Sequence, residues 1–227
     1  MTTVRTALVT GANRGLGRAT AARMHGLGLR VVVAARDAQA AETAAAELGR
    51  GARAVELAVT DDSSVRRARE QVGPVDILVN NAGVLEDYGL DPLTVPIGLV
   101  EHHLAVNALG AWRVSQAFVP DMVERGWGRV VMVSSGTGAF SNGLFSGAPA
   151  YSVSKAALNG LTQMLAQHTE GTGVLVNAVN PGLVRTRMRP DAPRTAEDAS
   201  ADVVHAATLP DGGPSGSFLR GARLLDW

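Results

Sequence analysis

Short apolar runs, rich in valine and without polar alternation, recur along the chain between longer alanine-rich stretches, as at Val31, Val32, Val33 and again at Val130, Val131, Val133. A strand with one wet face alternates apolar and polar residues, because successive side chains point to opposite sides; a run apolar throughout must be covered on both. Such strands, each followed by a helical stretch, restrict the chain to βαβ units around a parallel sheet. Strands are expected near residues 4 to 9, 30 to 35, 53 to 58, 75 to 79, 129 to 134 and 174 to 179, with a last one from Gly216 to Arg220. Helices are expected near 15 to 27, 38 to 48, 62 to 71, 97 to 125, 150 to 170 and 195 to 207. No change of composition divides residues 1–227, so one α/β domain is expected: a doubly wound parallel sheet of about seven strands with helices on both faces.

Composition narrows the function. Lys plus Arg and Asp plus Glu both number 21, scattered along the chain, so neither a basic stripe for nucleic acid nor an acidic tail is present. The absence of cysteine excludes disulfides and thiolate chemistry. The N-terminal stretch lacks the layout of a signal peptide, and no run approaches the roughly 18 apolar residues of a membrane span, so a soluble, cytoplasmic protein acting on a small molecule is expected. The five histidines form no metal pattern. Lys155 is the only lysine in a chain that otherwise uses arginine, which marks a position that needs an amine.

In open α/β sheets ligands bind beyond the carboxyl ends of the strands. After the first strand the sequence reads Thr10, Gly11, Ala12, Asn13, Arg14, Gly15, Leu16, Gly17 and runs straight into a helix. Glycines allow a sharp turn and close backbone approach, and a helix N-terminus favours negative charge, so a pyrophosphate suits this loop. Tyr151 and Lys155 stand four apart on an expected helix and share one face. An ammonium beside a phenol favours the phenolate, which brings a group titrating near about 10 toward neutral chemistry.

The TGxxxGxG spacing resembles that of the short-chain dehydrogenase/reductase family, whose other motifs follow in order. They are Asn80, Asn81, Ala82, Gly83 (NNAG); Asn107 within VNALG; Ser134 and Ser135 ending the fifth strand; Tyr151 and Lys155 as YSVSK; and Asn180, Pro181, Gly182, Leu183, Val184, Arg185, Thr186 as NPGxVxT. Within that family TGANRGLG, AARD and the closing GSFLRGARLLDW are similar to carbonyl reductases.

The resemblance implies a single-domain Rossmann-type oxidoreductase that passes a hydride between NADP(H) and a ketone, aldehyde or secondary alcohol. Tyr151 would act as general acid or base, Lys155 would lower its pKa and hold the nicotinamide ribose, Ser135 would bind the carbonyl oxygen, and Asn107 would hold a relay water. Ser134 is the alternative serine. Cofactor contacts are expected from Gly11, Asn13, Arg14, Gly15, Leu16, Gly17, Arg36, Ala58, Val59, Asn81, Ala82, Gly83, Tyr151, Lys155, Pro181, Gly182, Val184 and Thr186.

Ala58 stands where relatives carry an aspartate, which leaves adenine contacts mainly to the backbone around Val59. At the end of the second strand Ala35 occupies the acidic position of NAD users and Arg36 follows it, so Arg36 with Arg14 suits a 2′-phosphate; Asp37 leaves NAD open as the minor alternative. From Ser135 to Tyr151 is sixteen positions, longer than is usual in the family, and the enlarged loop supplies Phe140, Leu144 and Phe145. With Tyr88, Leu183 and Met188 these are the candidate walls of a substrate pocket. A non-catalytic NADP(H) sensor, and an epimerase or dehydratase that recycles its cofactor, are the competing functions on the same fold. A homodimer or homotetramer is left open.

Overall fold

The computed structural model describes residues 4–227. Eight strands form one sheet in the order β3-β2-β1-β4-β5-β6-β7-β8. They are β1 (Thr6–Thr10), β2 (Arg30–Ala35), β3 (Ala52–Glu56), β4 (Ile77–Asn80), β5 (Gly128–Val133), β6 (Val174–Val179), β7 (Phe218–Arg220) and β8 (Arg223–Leu225). The first seven run parallel, as the apolar runs require. The eighth, which the sequence reading lacks, turns back from β7 as an antiparallel edge, with Phe218 opposite Leu225.

Seven α-helices cover the two faces: α1 (Gly15–Gly26), α2 (Ala38–Leu48), α3 (Asp62–Val72), α4 (Ile97–Leu104), α5 (Gly110–Glu124), α6 (Pro149–His168) and α7 (Ala196–Ala207). Alternate residues of each strand feed opposite cores. In β2, Val31, Val33 and Ala35 pack with Leu16, Ala21 and Met24 of α1 and Val203 of α7. Val32 and Ala34 pack on the other side with Val65 of α3, Phe118 of α5 and Leu158 of α6. The valine runs are therefore buried on both faces for a direct reason: each strand is shared by two cores.

The single helix expected over 97 to 125 is interrupted. A π-helical turn at Ala105–Leu109 joins α4 to α5 and carries Asn107. Such turns insert one residue into the helical ladder and are frequent at functional sites. Among the described residues no helix is long and apolar enough to cross a membrane.

The chain leaves β1 toward β2 and β3 on one side, and β4 continues toward β5 and β6 on the other. The sheet therefore reverses direction between the carboxyl ends of β1 and β4. A crevice opens at such a point because the two flanking connections run to opposite faces.

Candidate active site

Thr10 and Asn81 hold the floor of that crevice. Thr10 Oγ1 donates to the Val79 carbonyl (3.3 Å) and accepts from the Asn81 and Ala82 N–H groups (2.9 and 3.0 Å). Asn81 Nδ2 donates back to the carbonyls of Thr10 (2.8 Å) and Gly11 (3.2 Å). The glycine loop and NNAG thus lock each other.

The loop's glycines have separate physical reasons. Gly11 and Gly15 adopt φ of +63° and +55°, a region that other residues enter at a cost. At Gly17 a Cβ would lie 2.4 Å from Asn81 Nδ2 and 2.5 Å from the Gly11 carbonyl. Gly17→Ala is accordingly expected to destabilise the fold by about 1–3 kcal/mol, more than the roughly 1 kcal/mol that alanine gains in helix propensity. A lower melting temperature is the expected result; an unchanged melting temperature would contradict this packing.

The loop has the character of an anion site. Asp37, Asp61 and Thr195 cap α2, α3 and α7 with side-chain oxygens, whereas α1, whose N-cap is Arg14, shares with α4 and α6 the lack of a side-chain cap and of an acidic residue in its first turn. First-turn N–H groups have no partner within a helix, so those of α1 point into the crevice with the dipole's positive end. Thr186 stands over the same loop, its Cγ2 3.3 Å from where a Gly15 Cβ would be. Pro181, Gly182 (φ +75°) and Val184 bring it there: Asn180 Oδ1 accepts from the Gly182 N–H (3.0 Å), Arg194 donates to the Pro181 carbonyl (2.9 Å), and Val184 is buried.

At the end of β2, Ala35 is buried while Arg36 is exposed. Arg14 is exposed as well. Asp37 is engaged elsewhere, since its Oδ1 accepts from the Ala40 N–H at 2.9 Å as the cap of α2. Next to β3, Ala58 donates its N–H to Ser64 Oγ (3.0 Å) and accepts from the Asp61 N–H, and the Val59 carbonyl accepts from Arg113 (3.0 Å). The Val59 N–H has no hydrogen-bond partner among the described residues.

The catalytic candidates meet on the other side of the crevice. Lys155 is 4% exposed, and its Nζ donates to the Val133 carbonyl at 2.8 Å, which leaves two N–H donors. A Cβ on Gly83 would lie 3.1 Å from Asn107 Oδ1 and 3.8 Å from Lys155 Nζ, so Gly83, Asn107 and Lys155 converge. Asn107 Oδ1 accepts from the Val84 N–H (2.8 Å), while Nδ2 donates to the Val84 carbonyl (3.0 Å) and to Ser154 Oγ (2.9 Å). Ser154 Oγ in turn donates to the Tyr151 carbonyl at 2.7 Å. The expected relay water therefore meets an amide largely committed to protein, with one Oδ1 lone pair left.

The two serines differ. Ser134 is buried and donates to Asn159 Oδ1 at 2.6 Å, a structural bond. Ser135 Oγ accepts from Thr137 N–H (3.2 Å) and Thr137 Oγ1 (3.0 Å), and its side chain acts on the Tyr151 phenol, drawing its pKa downward. Ser135 is the serine that faces the tyrosine.

Burial acts on both groups of the pair. Desolvation pushes the Tyr151 phenol up to about 12, the Asp87 carboxylate adds to that rise, and the Ser135 side chain opposes it. Burial pushes the Lys155 ammonium down to about 8. Its Nζ is 5.5 Å from the centre of the Tyr151 ring. Around neutral pH the site thus holds a phenol that keeps its proton.

The six pocket candidates do not all converge. Tyr88 and Phe145 stack, their ring centres 6.3 Å apart, and Arg189 lies over Tyr88 at 4.5 Å, so the loops after β4, β5 and β6 meet at the mouth. Leu144 is half-buried beside Phe145, and Leu183 and Met188 are exposed on the third loop. Phe140 is not part of this group: it is 69% exposed, and its turn is tied to the C-terminus through the Ser141 N–H and the Trp227 carbonyl (2.7 Å). Asp87 and His103, both fully buried beside α6, were not found by the sequence reading.

The short chain dehydrogenase family model matches residues 5–197. Oxidoreductase UcpA of Salmonella typhimurium is 38% identical over 226 residues, covering 92% of this chain and 83% of its own length. The 3-oxoacyl-(acyl-carrier-protein) reductase FabG of Aquifex aeolicus is 37% identical over 191 residues, covering 80% and 74%. The crystal structure of an NADPH-bound carbonyl reductase from chicken fatty liver superposes with a TM-score of 0.88 at 26% identity, covering 99% of each chain. With these motifs on this sheet, the chain belongs to the short-chain dehydrogenase family of oxidoreductases.

Proposed function

We propose that this protein is an NADPH-dependent reductase of ketones or aldehydes, with Tyr151 as the proton donor. The observation that carries the reading is the placing of Tyr151 one helical turn from the buried Lys155, whose Nζ is 5.5 Å from the phenol ring centre and holds the Val133 carbonyl, with Asn107 and Gly83 beside it. NADPH, when bound, supplies the hydride. Ser135 and Tyr151 then bind the carbonyl oxygen, and the phenol passes its proton to that oxygen as the carbonyl carbon is reduced. The two free N–H donors of Lys155 suit the ribose hydroxyls. Since the phenol is an acid over the neutral range, reduction is favoured there, and alcohol oxidation, which needs the phenolate, rises with pH.

The preference for NADPH rests on three residues. Ala35 offers no acceptor for a free 2′-hydroxyl, Asp37 is occupied as a helix cap, and Arg36 and Arg14 are exposed without hydrogen-bond partners among the described side chains. A charge-assisted pair to the 2′-phosphate contributes about 1.5–3 kcal/mol, so Arg36→Asp is expected to weaken NADPH binding roughly 10- to 100-fold. NADH binding should hold or improve. Equal wild-type affinity for the two cofactors, or unaltered NADPH affinity in the variant, would refute the assignment.

The function itself is tested by following NADPH absorbance with a panel of ketones, aldehydes and quinones. Steady consumption with at least one class is the expected result. Tight NADPH binding with no consumption anywhere in the panel would identify a sensor instead.

A further inference from the structure

Asp87 is a buried carboxylate that the proposed reaction does not use. It lies in the loop after β4, and its Oδ2 accepts from the N–H groups of Ala150 (2.6 Å) and Tyr151 (3.1 Å) in the first turn of α6. Its Oδ1 has no hydrogen-bond partner among the described residues, although it is fully buried. The group facing Oδ1 is His103 of α4, with Nε2 at 3.4 Å.

His103 is not a counter-ion in this arrangement. Its Nδ1 stands 2.8 Å from the Leu99 carbonyl, and its Nε2 takes the Glu86 N–H at 3.1 Å. The tautomer that satisfies both bonds carries its hydrogen on Nδ1, so no N–H is left for Asp87. A buried carboxylate without a donor to one oxygen is costly and calls for a reason.

Several polar or charged groups bear on this corner. Lys155 lies on the same helix as Tyr151, Ser135 faces the phenol from the end of β5, and Glu86 pairs with His102 at 3.8 Å on the exposed side of the loop. Asp87 is a negative charge fixed to the tyrosine's backbone by one hydrogen bond and to the preceding Ala150 by another.

We propose that Asp87 is a positioning residue for Tyr151: it pins the first turn of α6 through the Ala150 and Tyr151 N–H groups, and its negative charge, held beside that turn, favours the phenol over the phenolate. The inference rests on Tyr151 being the proton donor, and it adds a second carboxylate-borne control that the YSVSK motif does not contain. The direction in which Asp87 moves the phenol, upward, agrees with it.

The chain has two tyrosines, Tyr88 and Tyr151, so the tyrosinate absorbance of the wild type minus that of Tyr151→Phe isolates Tyr151. Asp87→Asn keeps a carbonyl oxygen for both N–H groups and removes the charge. Tyr151 is then expected to ionise about half a pH unit or more below the wild type. The alkaline limb of carbonyl reduction should move down by a similar amount, with little change in circular dichroism. Asp87→Ala removes the pin as well, and kcat should fall further than KM for NADPH rises.

If Asp87→Asn does not fold, Asp87→Ser, which also accepts an N–H without charge, replaces it in the same titration. Ionisation at the wild-type pH in a folded, uncharged variant would overturn the proposal. An Asp87-dependent ionisation in a protein that reduces no carbonyl would count against the proposed function alone; normal turnover with Asp87-independent ionisation would count against Asp87 alone.

Discussion

Tyr151→Phe is expected to lower kcat for carbonyl reduction by about 10²- to 10⁴-fold, the range that one general acid contributes, while NADPH affinity stays within about twofold. The substitution removes the hydroxyl and keeps the ring in its half-buried place on α6, so the fold and the cofactor crevice are left intact. The loss should appear equally in kcat and kcat/KM, because the missing hydrogen bond is one that strengthens only as negative charge builds on the carbonyl oxygen. Fluorescence titration with NADPH and steady-state kinetics on the same preparation separate the two effects. Substantial residual reduction would move the proton donor to Ser135 or to water.

Lys155→Arg is expected to lose most activity although the charge is conserved. The ammonium is 4% exposed, held by the Val133 carbonyl at 2.8 Å and crowded by Gly83 and Asn107. A guanidinium is larger, spreads its charge over a plane and presents its donors in a fixed fork, so it displaces either the Val133 bond or the ribose. A cation moved away from the tyrosine lowers the phenol pKa less, and the alkaline limb of reduction therefore shifts upward, opposite in sign to the shift expected for Asp87→Asn. Composition supplies the control, since arginine serves at every other Lys/Arg position of this chain. Near-normal turnover and pH dependence in the variant would leave Lys155 a lysine by accident.

What was legible in the sequence follows from what is local. Valine runs such as Val31 to Val33 announce strands covered on both faces, and the strands fall within two or three residues of their expected ends. The glycine loop was readable because Gly11 and Gly15 need positive φ and Gly17 needs an empty side chain, demands that leave glycine at fixed spacing. Asp87 was not readable, because its partners at Ala150 and Tyr151 are more than sixty positions away and any short polar residue looks at home in a loop. The π turn around Asn107 has no residue signature of its own, and the three-residue strand β8 is too short to show a period. The i, i+4 spacing of Tyr151 and Lys155 places the two groups on one helix but carries no information on desolvation, which only the packed structure supplies and which pushes the phenol upward.

The central claim is that hydride passes from NADPH to a carbonyl carbon while Tyr151 protonates the oxygen, and isotope transfer tests it most directly. NADPH carrying deuterium at the transferable position of nicotinamide C4 is incubated with the best carbonyl of the panel, and the product is examined by mass spectrometry and NMR. The account predicts one deuterium on the carbinol carbon for each cofactor oxidised, in wild type, with the rate collapsing in Tyr151→Phe. Product formed without net NADPH oxidation, or an alcohol whose carbinol carbon carries no label, would contradict it.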